Sequence, residues 1–181
     1  MSRAHEQGIA ARIGIYAVVV VALVVGSSAS PAAAAPIQRV VITFTETVFA
    51  DGSVTLSCTA TGGPYGSALV PGSDTLVSAS LKGSLTSFTN PHQPNVPLSG
   101  IETWTFDDGS SITDRFIEVQ HFQLPAGPGS TATSSGSYLI LSGTGVFGSA
   151  QGNGSFDETM QFDQQMNQVG VGTAVFNVHL S

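Results

Sequence analysis

The segment QRVVITFTETVFA, Gln38 to Ala50, alternates apolar and polar residues. Val40, Ile42, Phe44 and Val48 fall on one face, and Thr43, Thr45 and Thr47 on the other. A period of two suits a strand buried on one side. It does not suit an amphipathic helix, whose apolar residues recur every three to four positions. The pattern returns along the chain. SVTLSCTA aligns Val54, Leu56 and Cys58; GSFDETMQFD aligns Phe156, Met160 and Phe162; GTAVFNVHLS aligns Ala174, Phe176, Val178 and Leu180. Asp51-Gly52 and Asp108-Gly109 carry the dipeptide that type I′ hairpins prefer. The second of these centres the clearest hairpin, Leu98 to Phe122. TLVSASLKGSLTSF reads as a long or bent strand with Gly83 at a bulge, and SYLILSG as another strand. YGSALVPGSD and QLPAGPGSTATSSG read as loops. So does TNPHQPNVP, whose three prolines give a sheet no ladder donor. About eight strands at short intervals, without an internal repeat, predict an all-β sandwich or barrel.

The amino end is different. MSRAHEQGIAAR carries Arg3 and Arg12, the uncharged run Ile13 to Val25 follows, and GSSASPAAAAP supplies small residues in an A-x-A pattern. A basic start, a short apolar core and a small-residue site predict a secretory signal peptide over residues 1–35. Thirteen residues fall short of the roughly 20 that a spanning helix needs. The expectation is a single exported domain, 36–181, outside the cell or in its envelope, with no membrane attachment after cleavage. The one lysine, Lys82, hints at a GC-rich bacterial source.

Beyond the leader, Arg39, Lys82 and Arg115 face eleven acids, a net charge of −8. That balance repels phosphate backbones and anionic lipid, so nucleic acid and acidic membranes are poor partners. Cys58 is the lone cysteine and closes no intrachain disulfide. It reads as a small buried hydrophobe. His92, His121 and His179 lack ligand spacing, so neither a metal nor another cofactor is expected.

One stretch is richer in glycine than its neighbours: LSGTGVFGSAQGNGSF, Leu141 to Phe156. Gly143, Thr144, Gly145, Phe147, Ala150, Gly152, Gly154 and Phe156 resemble the G-T-G-x-[FY]-x-G-A-x-G-x-G-x-[FY] signature of the allene oxide cyclase–like barrels. That grouping includes the dirigent proteins and several bacterial families of unknown function. Ser149 stands where the signature has glycine, with Gly148 one place earlier. The resemblance implies an eight-stranded antiparallel barrel related to the calycins, and an assembly of several copies. It also implies that Gly143, Gly145, Gly152 and Gly154 form a sharp turn, and that Phe147 folds into the barrel end as an apolar plug. Asn153-Gly154-Ser155 matches a glycosylation acceptor, but it falls inside this expected turn. No lysine or helix pattern follows the glycines, so a phosphate-cradling loop is not expected.

Strand parity places acids on apolar faces. Glu46 lies between Phe44 and Val48, Glu102 shares parity with Trp104 and Phe106, and Glu158 lies between Phe156 and Met160. Asp114 and Glu118 flank Phe116. Such acids are costly in a dry core and tolerable in a cavity, where a desolvated carboxyl can serve as a general acid or base. Glu46, Glu102 and Glu158 are therefore candidate cavity carboxylates, with Glu46 and Glu158 most cleanly flanked. A bulge that flips parity, a strand end, or pairing with Arg39 or Arg115 would account for them otherwise. No G-x-S-x-G elbow is present to define a hydrolase.

Two functional readings follow. In one, the barrel binds a small apolar or amphipathic molecule and, by resemblance, guides or isomerises it without a cofactor. In the other, the interior is filled by Trp104, Phe106, Phe156, Phe162 and Phe176, and a non-catalytic protein acts through its surface. A β-sandwich would instead leave its first and last strands unpaired.

Overall fold

The structure, a computed structural model, describes residues 35–81 and 95–181. The expected leader lies outside the described residues except for Ala35, and so does Gly83. Eight strands follow one another: β1 (Ile37–Val48), β2 (Val54–Gly62), β3 (Val70–Leu81), β4 (Asn95–Phe106), β5 (Ser111–Phe122), β6 (Thr131–Thr144), β7 (Gln151–Phe162) and β8 (Gln168–His179). Each pairs antiparallel with the next, and β1 pairs with β8 from Ile37–His179 to Val48–Gln168. The sheet is therefore a closed eight-stranded barrel, not a sandwich. No described helix is long and apolar enough to cross a membrane.

Both Asp-Gly hairpins form, with a different turn from the one expected. Gly52 N donates to Phe49 O at 2.9 Å and Phe49 N to Ser53 O at 2.8 Å. Gly109 N donates to Phe106 O, and Phe106 N to Ser110 O, both at 2.9 Å. Only the glycines take positive φ, 85° and 83°, so each loop is a three-residue type I turn ending on glycine rather than type I′. The aspartates brace the turns: Asp51 Oδ1 accepts from Ser53 N and Asp108 Oδ1 from Ser110 N, each at 2.9 Å.

Three segments read as loops are partly strand. Val70–Asp74 opens β3, with Pro71 exposed near the strand start, where a missing donor costs least. Pro97 lies in β4 opposite Val119. Each ladder residue directs its N–H to one side only, so β4 pairs through the neighbours of Pro97. Thr131–Gly136 opens β6. The bulge in β3 falls between Leu76 and Ser78, and Val77 there is exposed.

The glycine stretch divides between two strands and a turn, and Gly143, expected in the turn, lies in β6. Gly145–Phe147 is a 3₁₀ turn, whereas Gly152 and Gly154 lie in β7, which also places Asn153 exposed on a strand instead of in a turn. Gly145 has φ 58°, and a Cβ there would strike Ser110. Val146 N donates to Ser110 Oγ at 3.1 Å, and that hydroxyl donates to Asp108 Oδ2 at 3.0 Å, which ties this turn to the β4–β5 hairpin. Phe147 is fully buried, with ring centroids 5.4 Å from Tyr65 and 5.7 Å from Phe106. Gly154 leaves room for Tyr138 and Phe176 on the flanking strands. The same device recurs around the wall: a Cβ at Gly100 would meet the Phe116 ring, one at Gly136 the Phe156 ring, and one at Gly172 the Phe44 ring. Large rings thus fit a narrow barrel because the neighbouring strand offers no side chain.

Removing the Phe147 ring should leave a cavity that the tied turn cannot close. Phe147→Ala is expected to cost about 3–5 kcal/mol in urea unfolding. Val146→Ala, at an exposed neighbour, should stay within about 0.5 kcal/mol. A loss under 1 kcal/mol for Phe147→Ala would show that the ring does not seal this end.

Candidate functional site

The up-and-down order sends the β2–β3, β4–β5 and β6–β7 connections to one end of the barrel and the β1–β2, β5–β6 and β7–β8 connections to the opposite end. The first end is packed with Phe147, Phe106, Val40, Val178 and Ala150. At the other, Val96, Phe122, Ala132, Met160 and Phe162 form a second, smaller cluster under the β5–β6 and β7–β8 turns. Between the two clusters the interior is hollow. A cavity of about 110 Å³ has aromatic walls from Phe44, Trp104, Phe116, Tyr138 and Phe156. Phe44 and Tyr138 stand edge-on to Trp104, with centroids at 5.7 and 6.3 Å, and Phe156 stacks on Tyr138 at 5.0 Å.

Among the described residues, the cavity wall is least paired between β2 and β3. The β2–β3 ladder runs only from Ser57–Ser73 to Ala60–Val70. Beyond it, Val54 and Leu56 of β2 and Leu76 and Ala79 of β3 line the cavity, with Val48 and Leu98 beside them. The opening is thus an aliphatic vestibule.

Carboxyls belt the interior. Glu46, Asp74, Glu102, Glu118 and Glu158 line the cavity, and Asp114 is fully buried behind Trp104, whose indole Nε1 donates to Asp114 Oδ2 at 3.1 Å. All four glutamates from residue 36 onward are among them. Arg39, Arg115, His121 and His179 are exposed, so no basic side chain among the described residues joins this belt. The pairing with Arg39 or Arg115 is therefore not what accounts for these acids. The expected trio of Glu46, Glu102 and Glu158 lies in one cavity, joined by Glu118 and Asp74. Asp74 escaped the sequence reading because VPGSD looked like loop; its signal was the parity it shares with Gly72 and Leu76. Gly170 makes room for Glu158, since a Cβ at 170 would strike its carboxyl.

Burial governs the chemistry of the belt. It pushes Glu46 up to about 7, helped by the charge of Glu118, and Glu158 up to about 9, helped by Glu46 and Glu118. The Glu46 and Glu158 carboxyls are close enough to influence each other's proton affinity, so the two titrate together. Asp74 rises to about 7 through burial, and Asp114 to about 8 through burial and the charge of Asp74. Glu102 is raised well above the usual range by burial and by Asp74. Glu118 is raised by burial, opposed by hydrogen bonds from Ser134 and Gln120. Near neutral pH much of the belt is therefore uncharged acid, able to donate as well as accept. Glu102 Oε1, Glu158 Oε1, Gln120 Oε1 and Asp74 Oδ1 are buried without a hydrogen-bond partner.

Burial also pushes the Cys58 thiol up to about 12, which makes it a poor nucleophile. Among the described residues, no three His, Cys, Asp or Glu side chains converge in a metal-binding arrangement.

No family model matches the chain, and no curated protein matches it. Among solved structures it is similar to the pterocarpan synthase dirigent protein GePTS1, at 14% identity and a TM-score of 0.39, over 81% of this chain and 93% of that one. The class that fold and site define rests on this chain's own register and side chains: a closed antiparallel barrel with an acid-belted, aromatic-walled cavity open at one side.

The belt makes an unusual stability profile. In the unfolded chain these carboxyls ionise near 4, so between that value and about 7–9 the folded barrel binds more protons. Stability from this source is full below about pH 4 and is lost as pH rises through 7 to 9. Asp51, Asp108 and Asp163 in surface turns are held low by hydrogen bonds and act in the opposite sense in acid. Thermal unfolding should therefore show a Tm maximum near about pH 4–5 and a fall toward pH 9. Glu158→Gln should flatten that fall. A Tm that rises from pH 5 to pH 9 would contradict a protonated belt.

Proposed function

We propose that this chain is an exported barrel that takes a small molecule into its cavity and presents protonated carboxyls to it. The observation that carries this reading is the set of buried carboxyl and amide oxygens left without partners around a cavity that opens to solvent. A purely structural interior gains nothing from them, since an unpaired buried polar group costs about 1–3 kcal/mol. In a binding site the same groups wait for a ligand. The aliphatic vestibule and the aromatic walls favour an amphipathic molecule. The cavity lies below the roughly 300–1,000 Å³ of drug-sized pockets, so the ligand is small or enters only in part.

The Glu46–Glu158 pair, two carboxyls raised toward neutral pH and titrating together, suits proton donation to a bound molecule followed by its recovery. This amounts to a cofactor-free, dirigent-like or isomerase-like role. The reading in which the barrel is packed and acts through its surface draws support from the two filled ends. The hollow middle belt favours binding.

Native mass spectrometry of the protein recovered from its secreting host tests this. A retained small molecule is expected. It should be lost in Leu56→Trp, which fills the vestibule, and weakened at least tenfold in Glu46→Gln with folding intact. If the recovered protein carries nothing, or Glu46→Gln leaves retention unchanged, the cavity role is wrong.

A further inference from the structure

The sign and polarity of the belt narrow the ligand further, on the footing of the binding reading above. Glu158 is only 5% exposed and Gln120 only 4%, both line the cavity, and each has an oxygen without a partner. Glu102 of β4 and Asp74 of β3 add two more such oxygens to the lining. The unmet atoms are acceptors, apart from those that carry a carboxyl proton. A complementary group must therefore be rich in N–H or O–H donors. An anionic head is disfavoured among so many acids. A bare divalent metal is not supported either, because no three ligands converge among the described residues.

We infer that the cavity binds the ammonium head of a small amphipathic amine among Glu46, Glu118 and Glu158, with its apolar tail in the vestibule of Val54, Leu56 and Leu76. An alkylammonium offers three donors and no acceptor, which suits the unpartnered oxygens of Glu158 and Gln120 beside the Glu46 and Glu118 carboxyls. Trp104, Tyr138 and Phe44 surround the same space with aromatic rings, and ring faces attract a desolvated cation. The β2–β3 gap gives the tail an apolar exit, whereas a head group alone would leave the vestibule exposed.

The proposal has a thermodynamic signature. The titratable groups facing the cation are Glu46 of β1, Asp74 of β3, Glu102 of β4, Glu118 of β5, Tyr138 of β6 and Glu158 of β7, with Asp114 of β5 behind Trp104. The cavity lining contributed by β2, Val54 and Leu56, carries no titratable group, and β8 contributes none. A cation entering a mostly protonated belt displaces a proton. Affinity should then rise about tenfold per pH unit until the carboxyl involved is ionised without ligand. An alkylammonium stays charged to about pH 10.

Isothermal titration of the protein with hexylammonium and with 1-hexanol, at pH 5.5 and 8.5 and in buffers of different ionisation enthalpy, tests this. Hexylammonium should bind one per chain, at least tenfold tighter than hexanol at pH 8.5, with release of about one proton at pH 5.5. The Glu46→Gln/Glu158→Gln double variant, isosteric and uncharged, should lose that preference while still binding hexanol. Equal affinity for the two probes at pH 8.5, or no proton release by the unaltered protein at pH 5.5, would overturn the amine assignment and leave the cavity reading standing. If neither probe binds and the recovered protein is empty, both readings fall.

Discussion

The ladder between β1 and β8 is the constraint on which everything else depends. Every residue of β1 has a partner in β8 on one flank, and from Val40 to Val48 a partner in β2 on the other. Closure converts one face of the sheet into an inside. Once the wall is closed, alternation along each strand decides what is buried, and the narrow bore decides which side chains can share a level. Glycines at 100, 136, 154 and 172 let rings from adjacent strands occupy that bore. The ends are then sealed by different means: a tied 3₁₀ turn carrying Phe147, and the smaller cluster around Met160 and Phe162.

Closure also creates the electrostatic problem. A carboxylate facing solvent on an open sheet costs little. The same residue turned into a barrel of this size loses its water and meets its neighbours on other strands. Here the response is protonation, with Glu46 and Glu158 titrating together and hydrogen bonds from Trp104 to Asp114 and from Ser134 and Gln120 to Glu118. No buried arginine or lysine among the described residues balances the belt. Partial satisfaction of this kind is poor economy for a core and reasonable preparation for a ligand.

The strands were legible where alternation was strict and turns carried Asp-Gly, as in β1, β4 and β5. They were obscured where prolines and glycines entered them. Val70–Asp74 looked like loop because Pro71 and Gly72 usually break strands, yet an exposed proline near a strand start loses no essential hydrogen bond. Gly152 and Gly154 looked like parts of a turn, because one sequence does not distinguish a glycine that bends the chain from one that yields to a ring. Asp74 was hidden with its strand. For the acids, parity located five of the six: Glu46, Glu102, Asp114, Glu118 and Glu158.

The sequence by itself determined that the chain is all-β, that its strands are one-sided, and that several acids share the apolar side. Period and turn chemistry are local properties, so they can be read locally. Only the tertiary structure decided that this side encloses a cavity and that the belt has no basic partner. It also decided that the wall parts between β2 and β3. Those outcomes depend on register and closure, which bring residues more than a hundred positions apart, such as Glu46 and Glu158, into one cavity lining.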